Sequence, residues 1–444
     1  MPHHADRPKQ NIVSLMLRAF KYRNYRLFFG GQGVSLIGTW MQRIALSWLV
    51  YRLTGSAMLL GVVGFCGQIP IFLLSPFAGV LADRLDRHRI LIVTQTLFML
   101  QAFTMAYLVL SGRIQVWQII AISVFIGLVN AFDIPARQSF VIDMVTRKED
   151  LGNAIALNSS MFNSARLIGP SVAGVVIGLT GEGACFLMDA VSYLAVLAAL
   201  LAMDPIAAKP KPPAEPVFKR LKDGFGYVLG FAPIKFVLLL LALTSLTGMP
   251  YTVLMPVFVK QALGGGPGTL GFLMAFSGAG ALLAAVTLAS RRDALGLERR
   301  IPLAGLTFGA GLILLSTAAA FHAAALFIAL ASFGMITQMA SSNTLIQTLV
   351  DDDKRGRVMA IYAMAFLGMA PFGSILAGWG ATHIGVRHTI MASGVMSLVG
   401  AGLFYTRLGE IREKARPVFM RLGIVKEVAE GMESAAELTA PPED

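Results

Sequence analysis

Charged residues and cysteines are both scarce in this sequence. Asp, Glu, Lys and Arg make up 14% of its 444 residues, against about a quarter in soluble domains, and hydrophobic residues make up 56%. A chain with so little charge cannot cover a water-exposed surface, which excludes an ordinary soluble globular protein. Cys66 and Cys185 lie within apolar runs, so we expect buried thiols and no disulfide framework.

Sequence signals of enzyme chemistry are also missing. The six histidines lie outside the middle of the apolar runs, and their spacing does not match a metal site. The sequence contains no nucleophile elbow, phosphate-binding loop or pair of catalytic carboxylates. We therefore expect no enzyme, no cofactor and no metal. The net charge of +12 comes from basic residues placed between apolar runs, which indicates membrane topology rather than a nucleic-acid partner.

Twelve apolar stretches are long enough to cross a membrane, which takes about 20 residues. They lie at 27–51, 57–82, 90–111, 116–136, 153–179, 184–203, 236–262, 268–290, 301–320, 323–348, 357–382 and 388–406. With both termini in the cytoplasm, 31 of the 37 Lys and Arg residues fall on the cytoplasmic side and four on the other. Because cytoplasmic loops are enriched in Lys and Arg, this asymmetry predicts that orientation.

The loops divide the spans into two groups of six. We predict an N-terminal bundle over 1–203, a cytoplasmic linker over 204–232, a C-terminal bundle over 233–406 and a cytoplasmic tail over 407–444. The linker begins rich in Pro and Lys and is expected to be extended there, followed by an amphipathic helix at the membrane surface. The charged tail is expected to be mobile. The predicted fold is all-α and integral to the membrane, with two pseudo-symmetric six-helix bundles.

A dense charge cluster follows the second span, in the stretch GVLADRLDRHRI at 79–90. Its Gly79, Asp83, Arg84 and Arg87 resemble the loop signature between helices 2 and 3 of the major facilitator superfamily. The stretch departs from that signature at two positions, with Asp in place of Gly at 86 and His in place of Lys or Arg at 88. The resemblance implies the twelve-helix transporter fold of that superfamily.

The same resemblance implies that the cluster is a conformational latch between the two halves. Asp83 would meet the positive N-terminus of helix 11, near residues 356–360. Arg87 would pair with an acid at the cytoplasmic end of helix 4, for which Asp133 is the candidate. The alternative is that the arginines of this loop serve only as topology signals.

Three further stretches resemble a narrower branch, the enterobactin-exporter-like or transmembrane secretion effector group. They are NAFDIPARQSFVIDMV at 130–145, NAIALNSSMFNSARLIGPSVAG at 153–174 and RGRVMAIYAMAFLGMAPFGSILAG at 355–378. This resemblance implies a bacterial inner-membrane exporter of siderophores, drugs or other small amphiphiles, driven by proton exchange and monomeric by family default. Gly169, Pro170 and Gly174 resemble an antiporter motif of the superfamily, although an ordinary Pro-kinked helix fits the same residues.

Three ionisable residues fall inside predicted spans, where each raises the free energy of membrane insertion by about 2.5–3.5 kcal/mol. They are Arg43, Arg166 and Asp189. Helical spacing places Gln32 and Thr39 on the face of Arg43, and Asn163 on the face of Arg166. These two stripes are either walls of a water-filled cavity or a dry polar core.

Asp189 and Arg43 have similar predicted depths, about 9–13 Å from their outer helix ends at 1.5 Å per residue. We predict that they pair. Two roles remain open for that pair: Asp189 titrates during transport, or the two side chains form a permanent structural ion pair.

The second half carries no charge inside its predicted spans, and its substrate-cavity candidates are Tyr251, Gln338 and Asn343. An apolar, uncharged second half favours a hydrophobic or amphiphilic cargo over a sugar. The sequence thus predicts a secondary active exporter of a small amphiphilic molecule that works by alternating access in exchange for protons. Its partners would be that molecule, protons and membrane lipids. A lipid or lysolipid flippase and an uptake facilitator remain the alternatives.

Overall fold

The computed structural model describes residues 17–204, 217–289 and 295–422, and their regular structure is helical throughout. Eleven helical segments in these ranges are long and apolar enough to cross a membrane. A further helix, the first long one, has 32 residues, or about 48 Å at 1.5 Å per residue. It is therefore also long enough to cross, but polar residues along its length lower its mean hydropathy.

The first half of the chain forms six long helices joined by short turns. They are α1 (Arg23–Thr54), α2 (Ala57–Arg84), α3 (Arg87–Leu110), α4 (Val116–Asp143), α5 (Lys148–Thr180) and α6 (Glu182–Leu201). The turn between α1 and α2 uses Gly55 in the left-handed conformation, which glycine adopts without a steric penalty. Ser56 then accepts a hydrogen bond from the Leu59 backbone and begins α2.

The second half repeats this arrangement with two interrupted helices. They are α7 (Ala232–Leu243, a π-helical turn Thr244–Gly248, then Tyr251–Ala262), α8 (Pro267–Ala289), α9 (Leu297–Thr317), α10 (Phe321–Leu349), α11 (Asp352–Leu367, then Ala370–His383) and α12 (Val386–Thr406). The sequence predicted continuous spans for α7 and α11. Pro250 and Pro371 lie at the two interruptions, and a proline has no backbone N–H to continue the helical hydrogen bonds.

Two amphipathic helices lie outside the twelve spans. The linker helix, Val217–Gly230, lies where the sequence predicts a helix in the linker, whereas the extended segment predicted before it lies outside the described residues. The tail helix, Leu408–Arg421, was not predicted, because the tail was expected to be mobile. We call the end of the bundle that carries these two helices the basic end, and the opposite end the far end.

The two halves approach each other through α2 with α11 and through α5 with α8. A Cβ atom on Gly61 of α2 would lie 2.5 Å from the Ser374 carbonyl oxygen of α11, so glycine permits this contact. Gln261 of α7 donates a hydrogen bond of 3.2 Å to the hydroxyl of Tyr51 in α1. These contacts all lie toward the far end.

The basic end lacks such close packing at the corresponding position. A Cβ atom on Gly79, near the end of α2, would have no atom of the described residues within 4 Å. The first half of α5 exposes Ser159 and Ser160, whereas Gly169, Pro170 and Gly174 farther along it are buried. Among the described residues, the closest contacts between the two halves therefore lie toward the far end.

Candidate transport site

Arg43 of α1 and Arg166 of α5 approach the same tryptophan. The guanidinium carbon of Arg43 lies 4.8 Å from the ring centroid of Trp40, and that of Arg166 lies 5.7 Å from it. Phe162, one turn before Arg166, meets Trp40 edge to face at 5.7 Å. Cations within about 6 Å of an aromatic centroid are stabilised by the ring, so Trp40 holds two positive charges at one place.

A glycine makes this arrangement sterically possible. A Cβ atom on Gly169 of α5 would lie 2.5 Å from the Trp40 Cβ and 2.9 Å from the Ile37 carbonyl oxygen of α1. Any larger residue there would push α5 away from α1 and carry Arg166 away from Trp40. The first residue of the antiporter-like motif therefore fixes the α1–α5 crossing.

The other two residues of that motif face the second half of the molecule. A Cβ atom on Gly174 would lie 3.0 Å from the Cα of Gly271 in α8. Pro170 lacks an N–H, so it leaves the carbonyl of Arg166 without its helical donor. Gly278 of α8 lies against this carbonyl, and its Cβ atom would be 2.9 Å away. The motif is thus a contact surface between the halves.

Asp189 is fully buried, with 0% of its surface exposed. Neither carboxylate oxygen has a hydrogen-bond partner among the described residues, because the Ser192 hydroxyl donates to the Asp189 backbone carbonyl at 2.7 Å instead. The carboxylate packs against α1, where a Cβ atom on Gly38 would lie 2.6 Å from Oδ1.

The predicted pairing of Asp189 with Arg43 is wrong for this structure. Within the described residues, Arg43 forms no ion pair at 4.0 Å or less. Arg43 is exposed and turned toward Trp40, whereas Asp189 faces Gly38 in the interior. Similar helical depth did not bring them together because the two side chains leave their helices in different directions.

The predicted pairing of Arg87 with Asp133 is also wrong. Arg87 contacts Asp143 at 2.5 Å, because α4 continues seven residues beyond its predicted end at 136 and its terminal acid is Asp143. Asp133 is 1% exposed and lies inside the first bundle. It accepts hydrogen bonds of 2.8 Å from Thr94 and Gln95 and contacts Arg137 at 3.3 Å.

The remaining latch residues give a mixed picture. Gly79 lies in the open region at the basic end. Asp83 and Arg84 belong to α2 by their backbone, but their side chains lie outside what the structure describes. The latch therefore stays a prediction.

Several predicted cavity residues are structural instead. Tyr251 is 1% exposed, and its hydroxyl shares hydrogen bonds with Ser332 at 3.1 Å and Ser277 at 3.4 Å. Gln338 is also 1% exposed, and its side-chain amide donates a hydrogen bond of 2.9 Å to the Thr244 hydroxyl at the π-helical turn of α7. Both residues join helices of the second half, so their assignment to an open cavity is wrong.

Gln32 is 4% exposed and is likewise buried. Thr39, Asn163 and Asn343 are partly accessible. Thr39 lies 3.4 Å from the Tyr193 hydroxyl, and Asn163 donates to the Ser159 carbonyl of its own helix at 2.8 Å. The polar stripe of α1 is therefore buried at Gln32 and accessible at Thr39 and Arg43. Whether it lines a water-filled cavity or a dry core stays a prediction.

Sequence reasoning missed Trp40, Phe162 and Arg137. Trp40 precedes Arg43 by three residues, a spacing that places both side chains on one helix face, and this signal was available. Arg137 was assigned to a cytoplasmic loop because α4 was predicted to end too early.

Comparison with known proteins gives the family. The sequence matches the transmembrane secretion effector family over residues 16–419. The chain belongs to this family, a branch of the major facilitator superfamily. Its members are transporters, so the predicted membership and the predicted twelve-helix fold are both confirmed.

Curated relatives extend over most of the chain. The staphyloferrin A transporter of Staphylococcus aureus is 28% identical over 385 residues, which cover 86% of this chain and 95% of that protein. Macrolide efflux protein A of Streptococcus pyogenes is 23% identical, over 88% of this chain and 98% of that protein. The multidrug efflux pump Tap of Mycolicibacterium fortuitum is 24% identical, over 87% of this chain and 95% of that protein.

Solved structures agree on the fold. A bacterial homologue of the human lysosomal transporter Spinster, in an inward-facing and unoccupied conformation, superposes with a TM-score of 0.70 at 13% identity. The match covers 88% of this chain and 98% of that one. The secretion effector described here is accordingly a multi-pass membrane transporter.

Proposed function

We propose that this transporter exports a small amphiphilic molecule across the bacterial inner membrane by alternating access, in exchange for protons. Relatives named as a siderophore transporter, a macrolide efflux protein and a multidrug efflux pump support export of such cargo. The observation that carries the proton exchange is the buried Asp189, which has no hydrogen-bond donor in the described structure.

The basic end faces the cytoplasm in this proposal. The excess of Lys and Arg in the loops at that end supports the orientation. Because the closest described contacts between the halves lie toward the far end, we assign this structure to an inward-open state that can load cargo from the cytoplasm. Rocking the halves about the central site would then close the basic end and open the far end.

Asp189 is the proton carrier in this cycle. An isolated carboxylate in a dry interior costs on the order of several kcal/mol, so the neutral acid fits its surroundings in the inward-open state. Its contact with Gly38 ties it to α1, which contacts α7 and α8 of the other half. A motion of α1 would therefore change the surroundings of Asp189 and allow it to exchange its proton.

Proton-coupled transport into proteoliposomes tests the proposal. An imposed pH gradient is combined with a pH-sensitive dye in the lumen, and siderophores, dyes and antibiotics are added in turn. We expect cargo-dependent proton flux in the wild type, loss of at least 90% of it in Asp189→Asn, and full activity in Asp204→Asn. Asp204 is a matched control because it lies exposed at the basic end, 2.7 Å from Arg23.

Exchange of labelled cargo across the membrane without a pH gradient shows whether Asp189→Asn is folded and still binds cargo. Retained exchange with lost proton flux supports the proposal. Proton flux that survives in Asp189→Asn overturns the role of Asp189. Transport restricted to lipids or to inward movement would replace export by a flippase or an uptake facilitator.

A further inference from the structure

Two arginines share one aromatic side chain at the centre of this transporter. Within the described residues, neither Arg43 nor Arg166 forms an ion pair at 4.0 Å or less or a side-chain hydrogen bond. Like charges placed close together repel each other, and the cost rises away from bulk water. A site that retains two such cations without an acid is suited to receive negative charge from elsewhere.

The surrounding charges do not neutralise this pair. Within the described residues, neither Arg43 nor Arg166 has a carboxylate oxygen within 4.0 Å. Asp189 faces Gly38 and lies beyond ion-pair distance of Arg43. Asp133 already contacts Arg137 at 3.3 Å. The acids of the first bundle near this site are therefore either engaged or turned away.

The position of the pair suits a ligand that enters from the basic end. Arg43 is exposed, and Arg166 and Trp40 are partly exposed, although all three lie within the membrane-spanning part of their helices. The backbone carbonyl of Arg166 meets Gly278 of α8, where a Cβ atom would lie 2.9 Å away, which places Arg166 at the junction of the two halves. Phe162 extends the aromatic surface of Trp40 toward the basic end.

We propose that Arg43, Arg166 and Trp40 form the binding site for the anionic group of the cargo, which is an organic anion with an aromatic or apolar part. The carboxylate, sulfonate or phosphate group binds the guanidinium groups, which suit such planar, charge-assisted hydrogen bonding. The apolar part packs on Trp40 and Phe162. This inference rests on the proposed function and specifies its substrate class.

The charge of the cargo has a consequence for the direction of transport. An anion that leaves a cell with a negative interior moves down the electrical gradient. A cycle that moves an anion out and a proton in is then driven by the membrane potential as well as by the pH gradient. A membrane potential imposed at equal pH should accordingly support export of an anionic cargo.

Two dyes of nearly the same shape provide the test. 1-Anilinonaphthalene-8-sulfonate is an aromatic amphiphile with one negative charge, and N-phenyl-1-naphthylamine is the same skeleton without the sulfonate. Binding of each dye to the full-length protein in nanodiscs is measured by equilibrium dialysis, with empty nanodiscs subtracted. The variants are Arg43→Gln and Arg166→Gln, and Arg113→Gln is the matched control because Arg113 is exposed at the far end.

We expect each glutamine variant at the site to bind the sulfonate dye at least tenfold more weakly, and to bind the uncharged dye within threefold of the wild type. Arg113→Gln should leave both affinities unchanged. Arg43→Lys and Arg166→Lys keep the positive charge but not the planar guanidinium group. They should bind the sulfonate dye more weakly than the wild type and more tightly than the glutamine variants.

An equal affinity of Arg43→Gln and wild type for the sulfonate dye overturns the inference, as does an equal loss of both dyes in a folded variant. Transport separates this failure from that of the proposed function. If the proteoliposomes exchange neutral or cationic cargo for protons, the export proposal stands and the anion site is wrong. If no cargo is exchanged for protons, the proposed function itself fails.

Discussion

Two residues that depart from the superfamily signature have local structural roles. Asp86 is the N-cap of α3, and its carboxylate accepts a hydrogen bond of 2.9 Å from the His88 backbone. The His88 ring lies 2.8 Å from the Leu200 carbonyl oxygen near the end of α6 and stacks on Phe140 at 5.8 Å. Both side chains are therefore used in local contacts at the start of α3.

Two substitutions of Asp86 should show how much its capping hydrogen bond contributes to stability. Asp86→Ala removes the hydrogen-bond acceptor and should lower the free energy of unfolding by about 1 kcal/mol, whereas Asp86→Gly, the residue of the signature, should cost only a few tenths. Reversible unfolding in mixed micelles measures both. If the two variants lose the same free energy of unfolding, the carboxylate of Asp86 has a role other than capping α3.

At the scale of single elements, the tail helix shows how an amphipathic segment docks. Its buried residues Leu408, Ile411, Ala415 and Phe419 recur every three or four positions, which places them on one face. Arg412 contacts Glu298 of α9 at 3.2 Å, and Arg421 contacts Asp351 at 2.8 Å. The tail helix is thereby fixed to the second half of the transporter.

Docking of the tail helix should depend on pH through Asp351. The hydrogen bond from Arg421 lowers the pKa of this carboxyl below its ordinary value. A carboxyl whose pKa is lower in the docked state stabilises docking above its undocked pKa of about 3.9, and this stabilisation is lost as the pH falls through the lowered value. We expect full docking above about pH 5 and weakening below about pH 4.

Electron paramagnetic resonance of a spin label at Glu413→Cys, an exposed site on the tail helix, measures this docking. Cys66 and Cys185 are replaced by Ala so that the label is unique. Asp351→Asn is the control and should remove the change in label mobility between pH 5 and pH 3. An unchanged pH profile in that variant would assign the effect to another group.

The interruption of α7 is a second feature at this scale. The Met249 N–H bonds to the Thr244 carbonyl at 2.9 Å, five residues earlier, which defines the π-helical turn. Gln338 of α10 holds Thr244, and the Ser245 hydroxyl donates to the Phe366 carbonyl of α11. Because π turns often occur at functional sites, this junction of three helices is suited to transmit motion within the second half.

At the scale of the whole molecule, close helix packing at the far end defines the state that the proposed cycle assigns as inward-open. α5 and α8 meet backbone to backbone, and a Cβ atom on Gly271 would lie 2.6 Å from the Gly174 Cα. Rocking the halves to the outward-open state must separate these surfaces. The balance between the two states is thus sensitive to a single methyl group at this contact.

Gly271→Ala should therefore shift the transporter away from the inward-open state. Gly268→Ala is the matched control, because a Cβ atom there would lie 3.8 Å from the nearest atom, the Gly174 carbonyl oxygen, at ordinary contact distance. Labelling of Ser159→Cys by a membrane-impermeant maleimide from the basic end measures the opening, with Cys66 and Cys185 replaced. We expect labelling to slow at least threefold in Gly271→Ala and to stay unchanged in Gly268→Ala.

Equal labelling rates in Gly271→Ala and the wild type, in protein of normal thermal stability, would show that the α5–α8 contact does not set this equilibrium. Labelling that slows equally in both variants would point to a general weakening of α8 instead.

The sequence by itself determined the fold class, because a membrane restricts the chain to long apolar helices whose number and spacing can be read directly. It also identified Arg43, Arg166 and Asp189, since a charge within such a helix is costly and therefore conspicuous. The linker helix followed from its pattern, and the tail helix at 408, 411, 415 and 419 could have been found in the same way.

Only the tertiary structure decided which side chains meet. The true end of α4 gave Arg87 its partner Asp143, and side-chain directions separated Asp189 from Arg43. Gly169 permits the close helix approach that places Arg166 next to Trp40. Tyr251 and Gln338 were predicted to line a cavity, but they are buried and form hydrogen bonds between helices. Helical periodicity gives the face of one helix, but the partner of that face depends on how closely two helices can approach, and this is set by contacts between distant parts of the chain.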